Sequence, residues 1–427
     1  MIQLRRELCT YCGGCVSLCP SGALELAETN LVVDEGRCNE CGLCIPACPV
    51  GALLIEGKRS LSHARQKYDL VVVGAGPAGS IATRFAAERG LAVLLLEKRQ
   101  EIGSPVRCAE GINQSMLLPF LEPDDRWISA RISKAQIVIA DTGEARCLES
   151  DEVGYVLERR VFDRVLAERA VEAGAEVMVK TAVEGLITGD GVVQGVRASD
   201  GQSRVEIEAQ VVIGADGVES RVGQWAGLRC ILPQKDCLVC AQFMLGNVEV
   251  NPTCCHYYVG EELAPGGYGW IFPKGEAKAN VGIGVQADLA TLPAAEYLRR
   301  FIAKYPFLEQ GSPVTLITGN VPVGVARGDI VGDGLMLIGD AARQADPLTG
   351  GGIANAMRAG RLAAEVAVEA VDCADNSKGF LEEYQRRWRQ GRGRKMERNH
   401  RLKQRFSAAQ RATPSFLRAF AVSAVGK

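Results

Sequence analysis

Residues 68–99 read YDLVVVGAGPAGSIATRFAAERGLAVLLLEKR, and the succession of residue types in this stretch decides the fold. Asp69 to Val73 is a short β-branched run suited to a buried parallel strand, 78–89 has helical composition, and 92–97 is a second run of strand character. Together they make a βαβ unit. Gly74, Gly76 and Gly79 form the G-x-G-x-x-G turn between the first strand and the helix. The first glycine allows the tight bend, the second lets a pyrophosphate approach the backbone, and the third packs helix on strand. Phosphates would then meet the helix N-terminus at Pro77 and Ala78, where unpaired N–H groups and the positive end of the dipole favour anions. Glu97, ending the second strand, is placed to accept hydrogen bonds from an adenosine ribose, with Lys98 beside it.

This fingerprint serves FAD and NAD alike, so the choice rests on segments further along. Residues 211–222 (VVIGADGVESRV) bring Asp216 and Gly217 to a turn, and 335–353 (LMLIGDAARQADPLTGGGI) bring Asp340 and then Gly350, Gly351, Gly352 and Ile353 into a helix. With Arg159 in 157–170 (LERRVFDRVLAERA), these segments resemble the large FAD family that includes aromatic hydroxylases and geranylgeranyl reductases. The resemblance implies FAD, an Asp340 that bonds the ribityl chain, a glycine run near the pyrophosphate and ring, and Arg159 close to the flavin. Arg107 joins the cofactor-binding candidates.

Two further segments are similar to geranylgeranyl reductases and their archaeal digeranylgeranylglycerophospholipid relatives. One is 266–275, GGYGWIFPKG, followed by NVGIGV at 280–285. Tyr268, Trp270 and Phe272 alternate along a strand and should share one face, either as core or as the wall of an apolar cavity. The other is 103–112, GSPVRCAEGI, where the resemblance places Cys108 on a loop near the flavin, with Ala109 where glycine is common. Cys108, Tyr268 and Trp270 are the catalytic candidates, and Cys108, Tyr268 and ordered water are all open as proton donor. Cys237, Cys240, Cys254 and Cys255 read as buried thiols, since alternation along a strand points each pair to opposite faces. The histidines, His63, His256 and His400, form no catalytic constellation.

Upstream, Cys9, Cys12, Cys15 and Cys19, then Cys38, Cys41, Cys44 and Cys48, each spell C-x2-C-x2-C-x3-C before a proline. This is the bacterial ferredoxin run, in which the fourth cysteine crosses to the other 4Fe-4S cluster. The rule assigns Cys9, Cys12, Cys15 and Cys48 to one cluster and Cys38, Cys41, Cys44 and Cys19 to the other. The flanks CPSGALEL and CPVGALLI repeat with a period of 29 residues. Zinc would call for paired ligands separated by a longer spacer.

The expected architecture is α/β, α+β overall. A ferredoxin-like domain with two clusters spans 1–60, and a Rossmann-like FAD domain spans 68–230 and 318–375. An antiparallel or mixed-sheet substrate domain is inserted at 231–317, and a basic helical segment follows at 376–427. The 427 residues are 47% hydrophobic, carry 16 cysteines and have a formal net charge of -2, which argues against nucleic acid as a partner. Neither a signal peptide nor an apolar run of about 18 residues is evident, so a cytoplasmic protein is expected. From Arg386 to Arg411, eleven Lys or Arg face Glu397 alone, either as a solvated helical face or as a peripheral contact with anionic lipid.

The reading is a reductase of isoprenoid double bonds, drawing electrons from reduced ferredoxin or a similar low-potential donor through the clusters to FAD. An electron-transfer-flavoprotein:quinone oxidoreductase-like relay is the alternative. There the iron-sulfur module would lie at the C-terminus with a membrane-inserting segment.

Overall fold

The strand Lys67–Val73 lies inside the first of two eight-stranded sheets in the computed structural model, which describes residues 2–6, 8–27, 30–55, 67–200, 203–405 and 420. Its parallel neighbours are Val93–Leu96, flanked in turn by Glu176–Met178, and Arg204–Gly214 on the other side. Arg204–Gly214 is long enough to serve two partners. Its first half pairs antiparallel with Val192–Ser199, and Val212–Gly214 run parallel to Leu335–Leu337. Leu70, Val71, Val72, Leu94, Leu95 and Ile213 are all fully enclosed, as expected of strands covered on both faces.

The fingerprint helix is Pro77–Ala87, somewhat shorter than the composition suggests. It crosses the long helix Ile353–Asp372 at near backbone contact: a Cβ on Gly360 would stand 2.3 Å from the carbonyl oxygen of Ala78. The two helices therefore seat as one layer on the sheet.

The second sheet runs Ser312–Pro322, Cys237–Gly246, Lys278–Gln286, Tyr268–Pro273, Cys254–Val259, Ile128–Ile139, Ala145–Leu157 and Gly111–Asn113. Its pairings are antiparallel except for Cys254–Val259, which lies parallel to Ile128–Ile139. The sheet thus draws on residues 111–157 as well as 237–322, and the span 231–317 holds only its later part. Three of its strands fall within 68–230. One face packs against the helix Ala294–Lys304 through Ile271, Val281, Ile283, Leu298 and Phe301. The other face, with Trp270 and Phe272, turns toward the first sheet's helices.

The cysteine-rich module shows its duplication in the backbone. Tyr11 and Glu40, Gly13 and Gly42, and Gly22 and Gly51 all have positive φ, each pair 29 residues apart. The strands exchange between halves: Ile2–Leu4 pairs with Leu53–Ile55, and Leu24–Ala27 pairs with Asn30–Val33. One set of contacts joins this module to the first sheet, where Lys180 Nζ donates to the carbonyl of Cys48 at 2.5 Å.

At the C-terminal side, Lys378–Trp388 continues through a π turn, Arg389–Gly393, into Arg394–Arg405. The apolar end of the basic segment lies outside the described residues except for Phe420. No helix among the described residues is long and apolar enough to cross a membrane.

Candidate active site

Each of the three fingerprint glycines does a separate job. Gly74 has φ +105°, and a Cβ there would sit 2.5 Å from the carbonyl oxygen of Ala215. Gly79 presses its Cα against Gly74, since a Cβ would stand 1.9 Å from that residue's carbonyl oxygen. At Gly76, by contrast, a Cβ would meet nothing within 4 Å. Gly76 faces a cavity of about 440 Å³, walled on the same side by Pro77 and Ala78. The opposite rim of this cradle is Asp340 with Gly350, Gly351, Gly352 and Ile353.

Glu97 serves the turn itself: Oε2 accepts from the N–H of Ala75 at 3.0 Å and Oε1 from that of Arg99 at 2.9 Å. Lys98 pairs with Glu219 at the surface. Asp216 Oδ2 caps Val222 N at 2.9 Å, while its Oδ1 is buried without a hydrogen-bond partner among the described residues, beside the cavity-lining Ala215 and Gly217. Burial pushes the Asp216 and Asp340 carboxyls up from their ordinary range. An open glycine cradle at a helix start, with an orphaned carboxyl oxygen next to it, suits a dinucleotide's pyrophosphate and hydroxyl groups. The residues present fit FAD.

Beyond the cradle the cavity turns apolar and aromatic. Tyr268, Trp270 and Phe272 all reach it from one face of their strand, while Gly269 on the other face abuts Phe301. Tyr257 joins them, 5.3 Å from Phe272 and 5.9 Å from Tyr268 between ring centroids. Phe420 covers both tyrosines, at 5.5 and 5.2 Å. Trp270 owes its seat to the G-x-G that follows it, for a Cβ on Gly282 would lie 2.2 Å from the indole. Gln242 then ties the wall to the Cys108 loop: its Oε1 accepts from Trp270 Nε1 at 2.8 Å and its Nε2 donates to the Cys108 carbonyl at 3.2 Å. Pro273 is not among the cavity-lining residues.

Cys108 and Arg107 both line the cavity. Burial pushes the Cys108 thiol up, with Arg159 drawing it partly back. Tyr268 is held neutral by burial, and its hydroxyl donates to the Thr349 carbonyl. Arg159 reaches the cavity while its guanidinium makes a two-pronged bond with Asp163, 2.7 Å on each arm.

Behind this loop lies a polar cluster that sequence reasoning did not assign. Glu110, at φ +77°, is buried with Lys274, 2.8 Å from Nζ. Its Oε2 also accepts from Asn280 Nδ2 at 2.6 Å and its Oε1 from the N–H of Arg159 at 3.0 Å, at the start of a helix. Lys274 Nζ is completed by the Leu157 carbonyl and Glu158. Lys274 and Asn280 flank the aromatic and G-x-G segments, but nothing local in the sequence announces partners 164 and 170 residues away.

Among the remaining thiols, Cys240 and Cys255 line the cavity whereas Cys237 and Cys254 do not, and burial raises all four. Burial pushes Cys240 up to about 12. His400 faces Asp236, 3.3 Å away, and burial lowers His256; His63 lies outside the described residues.

In the N-terminal module Cys9, Cys12, Cys15 and Cys48 ring one small cavity. The thiols acting on Cys15 are Cys48, Cys12 and Cys9, and those acting on Cys44 are Cys15, Cys41 and Cys19. Cys48 thus stands with Cys9, Cys12 and Cys15, and Cys19 lies near Cys41 and Cys44. Ala23 N donates to Cys19 Sγ at 3.2 Å and Ala52 N to Cys48 Sγ at 3.1 Å, a matched pair of the bonds that stabilise thiolate ligands. Among the described residues no three side chains converge as ligands of a single ion do.

A glycine cradle opening into an aromatic chamber between two sheets, joined to a module with ferredoxin cysteine runs, defines an iron-sulfur flavoprotein oxidoreductase. Residues 8–52 match a 4Fe-4S dicluster domain, 69–133 an FAD binding domain, and 236–321 the geranylgeranyl reductase catalytic domain. The digeranylgeranylglycerophospholipid reductase of Methanosarcina acetivorans is 49% identical over 334 residues, 76% of this chain and 81% of the relative. That of Methanothrix thermoacetophila is 48% identical, covering 79% and 87%. A geranylgeranyl bacteriochlorophyll reductase-like crystal structure from Thermoplasma acidophilum superposes with a TM-score of 0.79 at 40% identity, over 83% of this chain and 96% of that one. The chain belongs to the geranylgeranyl reductase family of FAD-dependent oxidoreductases. It carries FAD and iron-sulfur clusters.

Proposed function

We propose that this protein saturates carbon–carbon double bonds in the geranylgeranyl chains of a glycerophospholipid. The observation that carries the reading is the apolar aromatic chamber opening directly from the FAD cradle, a shape suited to a prenyl chain brought edge-on to a cofactor. The names of its relatives point to the same substrate class. FAD supplies the two-electron reduction, and two 4Fe-4S clusters, held by Cys9, Cys12, Cys15 and Cys48 and by Cys19, Cys38, Cys41 and Cys44, supply the electrons singly.

The chain's own residues have three tasks. Tyr257, Tyr268, Trp270 and Phe272 exclude water and fix the alkene, because an isolated double bond offers no polar handle and its reduction depends on placement. Cys108 keeps a proton at Sγ facing the cavity, since its burial disfavours the thiolate. Tyr268 holds its own proton on the Thr349 carbonyl, which leaves Cys108 the freer of the two side-chain candidates, beside ordered water. Gln242 keeps the Cys108 loop and the aromatic wall in register.

Reduced ferredoxin or a similar donor would feed the clusters, and the basic C-terminal stretch would rest on anionic membrane lipid. The test is anaerobic incubation of dithionite-reduced holoenzyme with a geranylgeranyl diether lipid. Mass spectrometry of the lipid should show the gain of two hydrogens per saturated bond.

A further inference from the structure

The basic stretch near the C-terminus is not a uniform solvated face. Its π turn at Arg389–Gly393, with Gly391 at φ −92° and ψ −113°, resets the helical phase between the two flanking helices. Such insertions recur at functional sites. Here the turn aims Arg392 into the cavity wall, where Nε donates to Asn355 Oδ1 at 2.8 Å. One turn beyond Asn355 on the same helix face stands Arg358, whose Nε is buried with no hydrogen-bond partner among the described residues. Lys395, half-buried, follows Arg392 along the next helix.

An acid near Arg392 and Lys395 is Asp346, which is already engaged. Its Oδ1 accepts from the N–H groups of Leu348 and Thr349, and its Oδ2 from Asn399 Nδ2 at 2.8 Å. Nearby arginines are neutralised differently: Arg386 and Arg387 share Glu383, Arg387 also takes Glu369, and Arg361 takes Glu365. Burial works against the charge on both Arg392 and Lys395, and repulsion from Arg358 adds to it at each, with Arg392 and Arg398 adding further at Lys395, while Asp346 pulls the other way. Crowded, partly buried cations with a shared and committed carboxylate are unfavourable unless an anion joins them.

We infer that Arg392, Arg358 and Lys395 form a phosphate-binding station at the cavity edge, which holds the headgroup phosphate of the lipid whose chain lies in the aromatic chamber. The inference rests on the reading that the substrate is a prenylated glycerophospholipid. Guanidinium forks match phosphate oxygens in pairs, and the flexible ammonium of Lys395 adds a third donor from the outer side. The station would fix the headgroup and thereby set which double bonds reach the cofactor.

The experiment titrates full-length, cofactor-loaded protein with two diether lipids of identical geranylgeranyl chains, one bearing a phosphate headgroup and one a neutral hydroxyl. Binding is read from the perturbation of flavin absorbance, turnover from loss of alkene. Wild type should bind the phosphorylated lipid more tightly. Arg392→Gln and Arg358→Gln should each weaken that binding by about tenfold or more, moving the preference toward unity, with FAD content at the wild-type level. Arg392→Lys should recover part of the preference, and the more peripheral Lys395→Gln should show a smaller loss of the same sign. The inference is overturned if the preference survives in all variants, or if it is lost only together with FAD, which would assign the cluster to the cofactor's phosphates or to folding. The two readings fail separately. Phosphate-selective binding without alkene loss would sink the proposed reaction and leave the station standing. Equal reduction of both lipids, unchanged in the variants, would do the reverse.

Discussion

The Glu110–Lys274 pair shows how single residues hold this site open. Both side chains are enclosed and all three Lys274 contacts are oxygens, so removing the ammonium strands a buried carboxylate beneath the Cys108 loop. Lys274→Met should cost about 3–5 kcal/mol in chemical denaturation, and Lys274→Met combined with Glu110→Gln should recover a substantial part. An additive double variant would show that the two groups are not coupled. Trp270 tests the chamber instead of the fold. Trimming it to Ala leaves Gln242 Oε1 without its indole donor and enlarges the chamber beside the alkene. Turnover should drop by about a hundredfold while FAD occupancy falls little, because misplacement by an ångström costs rate more than binding. Parallel loss of FAD and activity would reassign Trp270 to the core. The aromatic row and the G-x-G were both legible as motifs. That the glycine at 282 exists to admit the indole of 270 was not, because the contact spans two strands.

At the scale of elements, legibility followed sequence distance. The βαβ unit was read within a residue or two at most of its ends because its signals are local: β-branched strands, three spaced glycines and an acid. The second sheet was not, since 111–157 and 237–322 meet only through long-range pairing, and no composition change marks the exchange. The π turn escaped for a related reason, as it breaks the periodicity from which a helix is read. The helix after that turn is tethered to the second sheet by His400 and Asp236. The hydrogen bond from His400 holds the Asp236 carboxyl below its ordinary value of 3.8, with Arg327 helping. A carboxyl depressed in the folded state stays ionised where the unfolded chain already takes up protons. Its stabilising contribution is therefore full above 3.8 and disappears as pH falls through the lower folded value. Asp236→Asn should lower the melting temperature at neutral pH, and the gap from wild type should close as pH drops below that window. A gap that stays constant to low pH would show that the carboxylate's charge is not what holds the helix.

At the scale of the whole molecule, two electron-carrying units share one chain; the module's repeat and the dinucleotide fingerprint were readable from spacing, whereas the choice of flavin rested on the family resemblance of 211–222 and 335–353. The docking of the two units was not readable, for Lys180 carries no motif that announces the Cys48 carbonyl as its partner. If electrons enter through the clusters, a chain lacking residues 1–60 should lose ferredoxin-driven turnover yet keep turnover driven by dithionite. Equal ferredoxin-driven rates in both forms would make the module structural. The central claim is the chemistry itself, and it is tested most directly by offering the fully loaded, dithionite-reduced protein a geranylgeranyl diether phospholipid and, separately, a quinone under anaerobic conditions. The account predicts stepwise gain of two hydrogens per double bond in the lipid, with quinone reduced slowly. A lipid recovered unsaturated alongside rapid reduction of the quinone would contradict it and identify the protein as an electron relay.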